Sequence, residues 1–220
     1  MSDMPDQPLT LTFLPLFPLG TVLFPGGELP LRVFEVRYLD LIDKCHKADA
    51  PFGVVNLQQG SEVQVAGAPH EQLDAIGTLA HIVALERPQA GLLLVQCKGS
   101  QRFHIERQER LKHGLWVADV TLLPDDSAVA IPDDLRHAAD ALRKVRTSLH
   151  ERGAIGPDAG SGAGMSLDDE ARTYQDCGWV SNRWCELLPL KNELKQRLMA
   201  LDNPLLRLEL VADILSRTGV

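Results

Sequence analysis

Five places in this sequence hold side chains that could do chemistry if the fold brought them together. Cys45 and His46 are a thiol and an imidazole, the pair that makes a nucleophile and its base. They are adjacent in a run with helical spacing, so their side chains diverge by about 100° and cannot bond each other. Cys45 falls on the apolar stripe of that run, which reads as packing. Lys144 and Ser148 lie four residues apart and could touch on a helix, as a Ser–Lys dyad requires. No oxyanion donors lie nearby in sequence, and the pair reads as solvated. Glu35 and Arg37 bracket a strand-to-helix junction. Catalysis there would need a third group and a cleft, whereas hydrogen bonds between the two would simply tie the junction while Phe34 and Tyr38 pack. The histidines show no ligand spacing: His70 sits in a polar loop, and His81 and His104 fall on different strands, so no metal and no other cofactor is expected. The stretch 153–164 is rich in glycine but lacks the Gly-Lys-Ser/Thr ending of a phosphate loop. It also follows a helical run rather than a strand, and reads as a flexible link. No catalytic residues are expected.

One local charge feature stands out. Between Lys98 and His113 the chain carries Lys98, Arg102, Arg107, Arg110 and Lys112 against Glu106 and Glu109. As a basic hairpin on an acidic protein it could meet RNA phosphates or an acidic partner, with Lys98, Arg102 and Arg107 as the contacts. The plainer reading is a solvated strand face. The formal net charge of −8 argues against a general nucleic-acid binder. With 45% hydrophobic and 24% charged residues, the composition is that of a globular chain. A chain of 220 residues should bury about 70% of its unfolded surface and needs no staple. The four cysteines form no CxxC pair and read as reduced, buried thiols. The N-terminus is polar and acidic, and no apolar run approaches the roughly 20 residues of a bilayer span, so a cytoplasmic location is expected.

The elements that must position these residues follow from period. Leu9, Leu11 and Phe13 alternate with threonines as a half-buried strand; Thr21 to Phe24 reads as a second, closed by Pro25-Gly26-Gly27; Leu29, Leu31 and Val33 alternate again. Tyr38, Leu41, Ile42 and Cys45 share one face of a helix ending near Ala48. Strands follow at Phe52–Leu57, Ile76–Leu85, Leu92–Cys97, Gln101–Glu106 and Leu115–Leu122, with a polar loop over 58–73 and turns at 88–91 and 98–100. Past residue 125 the texture turns helical. Pro132 with two acids starts one helix that Gly153 ends, a further helical run begins near Asp168, and three apolar stripes follow. The last stripe opens at Asn203-Pro204 and is apolar on most sides, which predicts a helix central to the bundle. The expected fold class is therefore α+β: a β-rich, barrel-type domain over 1–125 and a helical domain over 126–220.

Two blocks then carry a resemblance. Leu14-Pro-Leu-Phe-Pro-Leu-Gly-Thr-Val-Leu-Phe-Pro-Gly26 followed by Leu29-Pro-Leu-Arg-Val-Phe-Glu-Val-Arg-Tyr38 resembles the signature of the Lon protease N-terminal, substrate-binding domain, in its stand-alone bacterial version. Ile76–Ile82, Val95–Phe103 and Leu187–Leu190 with Lys195–Leu198 are similar to later family segments. The resemblance implies a PUA-like β subdomain followed by a helical subdomain that engages substrate polypeptides. Nothing in the sequence resembles the ATPase or the Ser–Lys protease domain of a full Lon, so neither ATP hydrolysis nor peptide-bond cleavage is expected. The expected function is non-enzymatic binding of unfolded or extended polypeptide, acting alone or handing clients to a separate protease or chaperone. Phe17, Phe24 and Phe34 are the candidate contacts, being large apolar residues beside Pro/Gly turns. The alternative is RNA binding through the basic segment 98–113.

Overall fold

The computed structural model describes residues 9–60, 71–153 and 173–218. The chain divides into two compact units, 1–125 and 126–220.

The first unit contains strands β1 (Thr10–Leu19), β2 (Glu28–Val33), β3 (Phe52–Gln59), β4 (Gln72–Leu73), β5 (Ile76–Gln89), β6 (Leu92–Arg110) and β7 (Trp116–Leu122), with helix α1 (Val36–Ala48) after β2. Five strands close on themselves in the order β1-β7-β6-β5-β3, because β1 also pairs β3 in parallel through Leu16 to Leu19. Closure removes the free edges that an open sheet would leave. Leu14, Leu16, Val55, Leu79, Phe103, Ala118 and Val120 come from all five of these strands and form one buried cluster. A second cluster lies between α1 and the sheet, where Tyr38, Leu41, Ile42 and Cys45 meet Phe17, Phe52, Val33 and Val95. The stripe that predicts α1 is the stripe it buries. Phe17 stacks on Tyr38 with ring centroids 4.1 Å apart.

Three departures from the sequence reading have local causes. Phe13 does not continue the inward alternation. It has φ +59° at a register shift in the β1–β7 ladder, its N–H donates to the Asp119 carboxylate, and its ring points outward. Residues 21–24 are not a strand but a connector, in which Thr21 is exposed while Val22, Leu23 and Phe24 are all core. Their polar backbone is met in part by the Thr78 hydroxyl, which donates to the Leu23 carbonyl at 2.7 Å. The turn expected at Lys98-Gly99-Ser100 is absent, because β6 runs straight through it. Gly99 is there for close approach: a Cβ would stand 2.5 Å from the Phe24 carbonyl oxygen.

The second unit holds a 3-10 turn (Asp133–Leu135) leading into α2 (Arg136–Glu151), then α3 (Cys177–Leu187), α4 (Asn192–Met199) and α5 (Pro204–Thr218). The glycine-rich stretch beyond Gly153 and the helical start near Asp168 lie outside the described residues. Asn203 caps α5, its side-chain oxygen accepting from the N–H groups of Leu205 and Leu206. The central helix, however, is α3 rather than α5. Cys177, Gly178 and every residue from Val180 to Cys185 are buried, while Leu206 and Leu210 of α5 face outward. The hydrophobic surplus of α5 misleads because sequence shows apolarity, not which element others pack around.

Candidate functional site

The strand-to-helix junction at residues 33–38 is where the first unit offers apolar surface beside a concavity. Arg37 fixes it. This guanidinium is buried, its Nε donates to the Glu35 carboxylate at 3.1 Å, its Nη1 donates to the Gly114 carbonyl at 2.7 Å, and it sits 4.5 Å from the Tyr38 ring centroid. Burial pushes the Tyr38 hydroxyl up to about 12, so it stays protonated and inert as a base. The Glu35–Arg37 pair is thus a structural tie, with Tyr38 packed against it. Phe34 does not pack. It is 57% exposed, and Val36 two residues on is 74% exposed.

Beside them lies a cleft of about 280 Å³. It is lined by Leu29 to Val33 of β2, by Phe34 and Glu35 after it, and by Phe17, Leu19, Thr21 and Tyr38. A second hollow, of about 360 Å³, occupies the outer face of the β2, β6 and β5 strands, lined by Pro30, Arg32, Ala84, Glu86, Leu94 and Gln96. Both share strand β2. No His/Cys/Asp/Glu group among the described residues could hold a metal ion. The four cysteines are free and buried; burial pushes Cys97 and Cys185 up to about 12 and Cys177 to about 11, far from a reactive thiolate.

The expected contact residues separate by burial. Phe34 reaches the surface, Phe17 shows only its edge in the cleft wall, and Phe24 is wholly interior at 0% exposure. Val36 was missed because it occupies the first turn of an amphipathic helix, where period alone does not tell rim from core. Phe13 and Leu9 add exposed apolar surface at the start of β1.

The basic segment 98–113 is not a hairpin by itself but one arm and part of the turn of the β6–β7 hairpin. Lys98 to Arg110 lies within the single strand β6, whose side chains alternate between faces. Arg102 is buried and reaches the Pro124 carbonyl; Arg107 pairs with Asp119 at 3.1 Å, and Arg110 pairs with Glu71 at 3.4 Å. Lys98 is half-buried, opposite Glu28 in the β2–β6 ladder.

Comparison with known proteins places the chain against one family. A family model described as "ATP-dependent protease La (LON) substrate-binding domain" matches residues 13–217. A crystal structure of a Lon N-terminal domain protein from Xanthomonas campestris superposes with a TM-score of 0.69 at 28% identity, covering 92% of this chain and 98% of that one. The N-terminal domain of the Mycobacterium avium complex Lon protease shares the fold at 16% identity and a TM-score of 0.56, covering 91% and 96% of the two chains. Lon protease 2 of Myxococcus xanthus is 33% identical over 100 residues, which is 46% of this chain and 12% of that protein's length.

Proposed function

The chain belongs to the Lon substrate-binding domain family, and from that premise we propose that it is a polypeptide-binding module that captures exposed apolar or extended segments of other proteins without altering their covalent bonds. The observation that carries this reading is the exposed Phe34–Val36 pair, Phe34 lining a cleft of mixed apolar and polar character and the junction held by the buried Arg37 tie. Exposed apolar side chains gathered beside a concavity support a docking surface where singly scattered ones would not. Clients would be unfolded or extended segments, which a separate protease or chaperone could receive, in the cytoplasm. The 1–125 and 126–220 units serve as separate domains in this reading.

Fluorescence anisotropy with a reduced, carboxymethylated, permanently unfolded protein as probe tests the proposal. Saturable binding that weakens about tenfold in Phe34→Ser supports it; absence of saturable binding by the wild-type chain overturns it. RNA binding is not favoured, since Arg102 is buried and Arg107 and Arg110 are matched by carboxylates.

A further inference from the structure

Strand β2 is paired on one side only. It joins β6 in antiparallel register, Glu28 opposite Lys98 through Val33 opposite Leu93, and no strand among the described residues pairs its other edge. The direction of its backbone groups follows from parity. Gly99 donates its N–H to the carbonyl of Gly27 at 2.8 Å, which makes position 27 a hydrogen-bonded one. Such positions recur every second residue in an antiparallel ladder. Leu29, Leu31 and Val33 therefore turn their backbone groups toward β6, and Pro30 and Arg32 turn theirs away. Pro30 is consistent with this, because a residue with no N–H is tolerated where the ladder asks for none.

Every residue of β2 from Leu29 to Val33 lines the cleft already described, those of outward parity included, and Phe17, Leu19 and Tyr38 of the core cluster form another part of its wall. A strand laid beside β2 would place every second side chain over that wall and would meet the Pro30 carbonyl and both backbone groups of Arg32. Resting on the reading of this chain as a polypeptide binder, we infer that clients bind by strand addition to the free edge of β2, as extended segments with aliphatic side chains at alternate positions. Main-chain bonds then supply sequence-tolerant affinity, and the cleft selects for apolar alternation.

A second copy of the chain is the rival occupant, and two features disfavour it. The β2 side chains that would have to enter the partner's cleft, Leu31 and Val33, are already buried in their own core. Pro30 at the middle of the strand would also face itself in a symmetric β2–β2 pair, removing both central donors. An extended client has neither restriction.

The test uses the full chain and a fluorescein-labelled eight-residue peptide of alternating Val and Thr. Two further peptides carry N-methyl groups, one on every Val nitrogen and the other on every Thr nitrogen. Strand addition in one direction puts only one of these sets against β2. One methylated peptide should therefore lose at least tenfold in affinity while the other stays within threefold of the parent. Equal behaviour of the two overturns the inference. On the protein side, Arg32→Pro removes an outward N–H without touching the β6 ladder and should weaken binding at least tenfold, whereas Arg32→Gln keeps the N–H and should stay within threefold. If Arg32→Pro fails to fold, the peptide pair still decides. If the unfolded-protein probe binds and responds to Phe34→Ser while neither methylation nor Arg32→Pro has an effect, strand addition falls and polypeptide binding stands. If neither probe binds, both fall.

Discussion

Three residues that look alike in sequence, Phe17, Phe24 and Phe34, differ by what surrounds them, and this sets opposite expectations for stability and binding. Phe24 is fully buried, so Phe24→Ala should cost about 3–5 kcal/mol in urea unfolding. Phe34 is exposed, so Phe34→Ser should stay within about 0.5 kcal/mol of wild type while weakening client binding. Arg207 is the counterpart in the helical unit. Only 1% exposed, it holds Asp126 through both terminal nitrogens and also donates to Asn182 and to the carbonyls of Leu198 and Leu201. Arg207→Ala removes the buried guanidinium's paired bonds to Asp126 together with those to Asn182, Leu198 and Leu201, and should destabilise by about 3 kcal/mol or more, read from the urea midpoint. The cysteines give a pH expectation. Unfolded thiols ionise near 8.5, while burial holds Cys177 at about 11 and Cys97 and Cys185 at about 12. The folded state binds these protons more tightly, so their contribution is fully present below about pH 8.5. It is lost progressively as pH climbs toward 11 and 12. The urea midpoint should therefore be lower at pH 10 than at pH 7.5, and a thiol reagent at pH 8 should label the native protein far more slowly than the denatured one.

Strand β6 decides more than any other element. Its first half lies between β2 and β5 and its second half between β5 and β7, so one continuous backbone joins the barrel to β2, which lines the cleft. That continuity passes through Gly99, against which the 21–24 connector lies. Gly99→Ala would drive a Cβ into the Phe24 carbonyl, and since backbone cannot swing aside, the cost should be about 1–3 kcal/mol. A thermal melt against the wild type checks it; an unchanged melting temperature would mean that the connector moves freely. The same glycine invites the mistaken reading of a turn, because Lys-Gly-Ser is turn chemistry by composition and only the ladder shows that it is spanned.

At the scale of the whole chain, the charge of −8 and the pairing of the β6 arginines set the expected response to salt. Client binding that rests on apolar burial and main-chain bonds should change less than about threefold between 50 and 300 mM salt. A phosphate-reading surface would lose orders of magnitude over a similar range. An anisotropy titration at both salt concentrations separates the two, and a steep salt slope with an RNA probe would restore the polyanion reading.

The sequence alone carried the α+β class, the amphipathic α1 and the Asn203 cap of α5, because each is written in local period or in a side chain that acts within three residues of itself. The Lon-like block at 14–38 carried the family in the same way. Closure of the barrel through the β1–β3 pair could not be read there, nor could the outward turn of Phe13, the centrality of α3 or the edge of β2 that no described strand pairs. Each depends on which strand or helix, distant in sequence, comes to lie alongside. Only the packed chain settles that, since burial and pairing are properties of neighbours in space and a residue's type fixes neither.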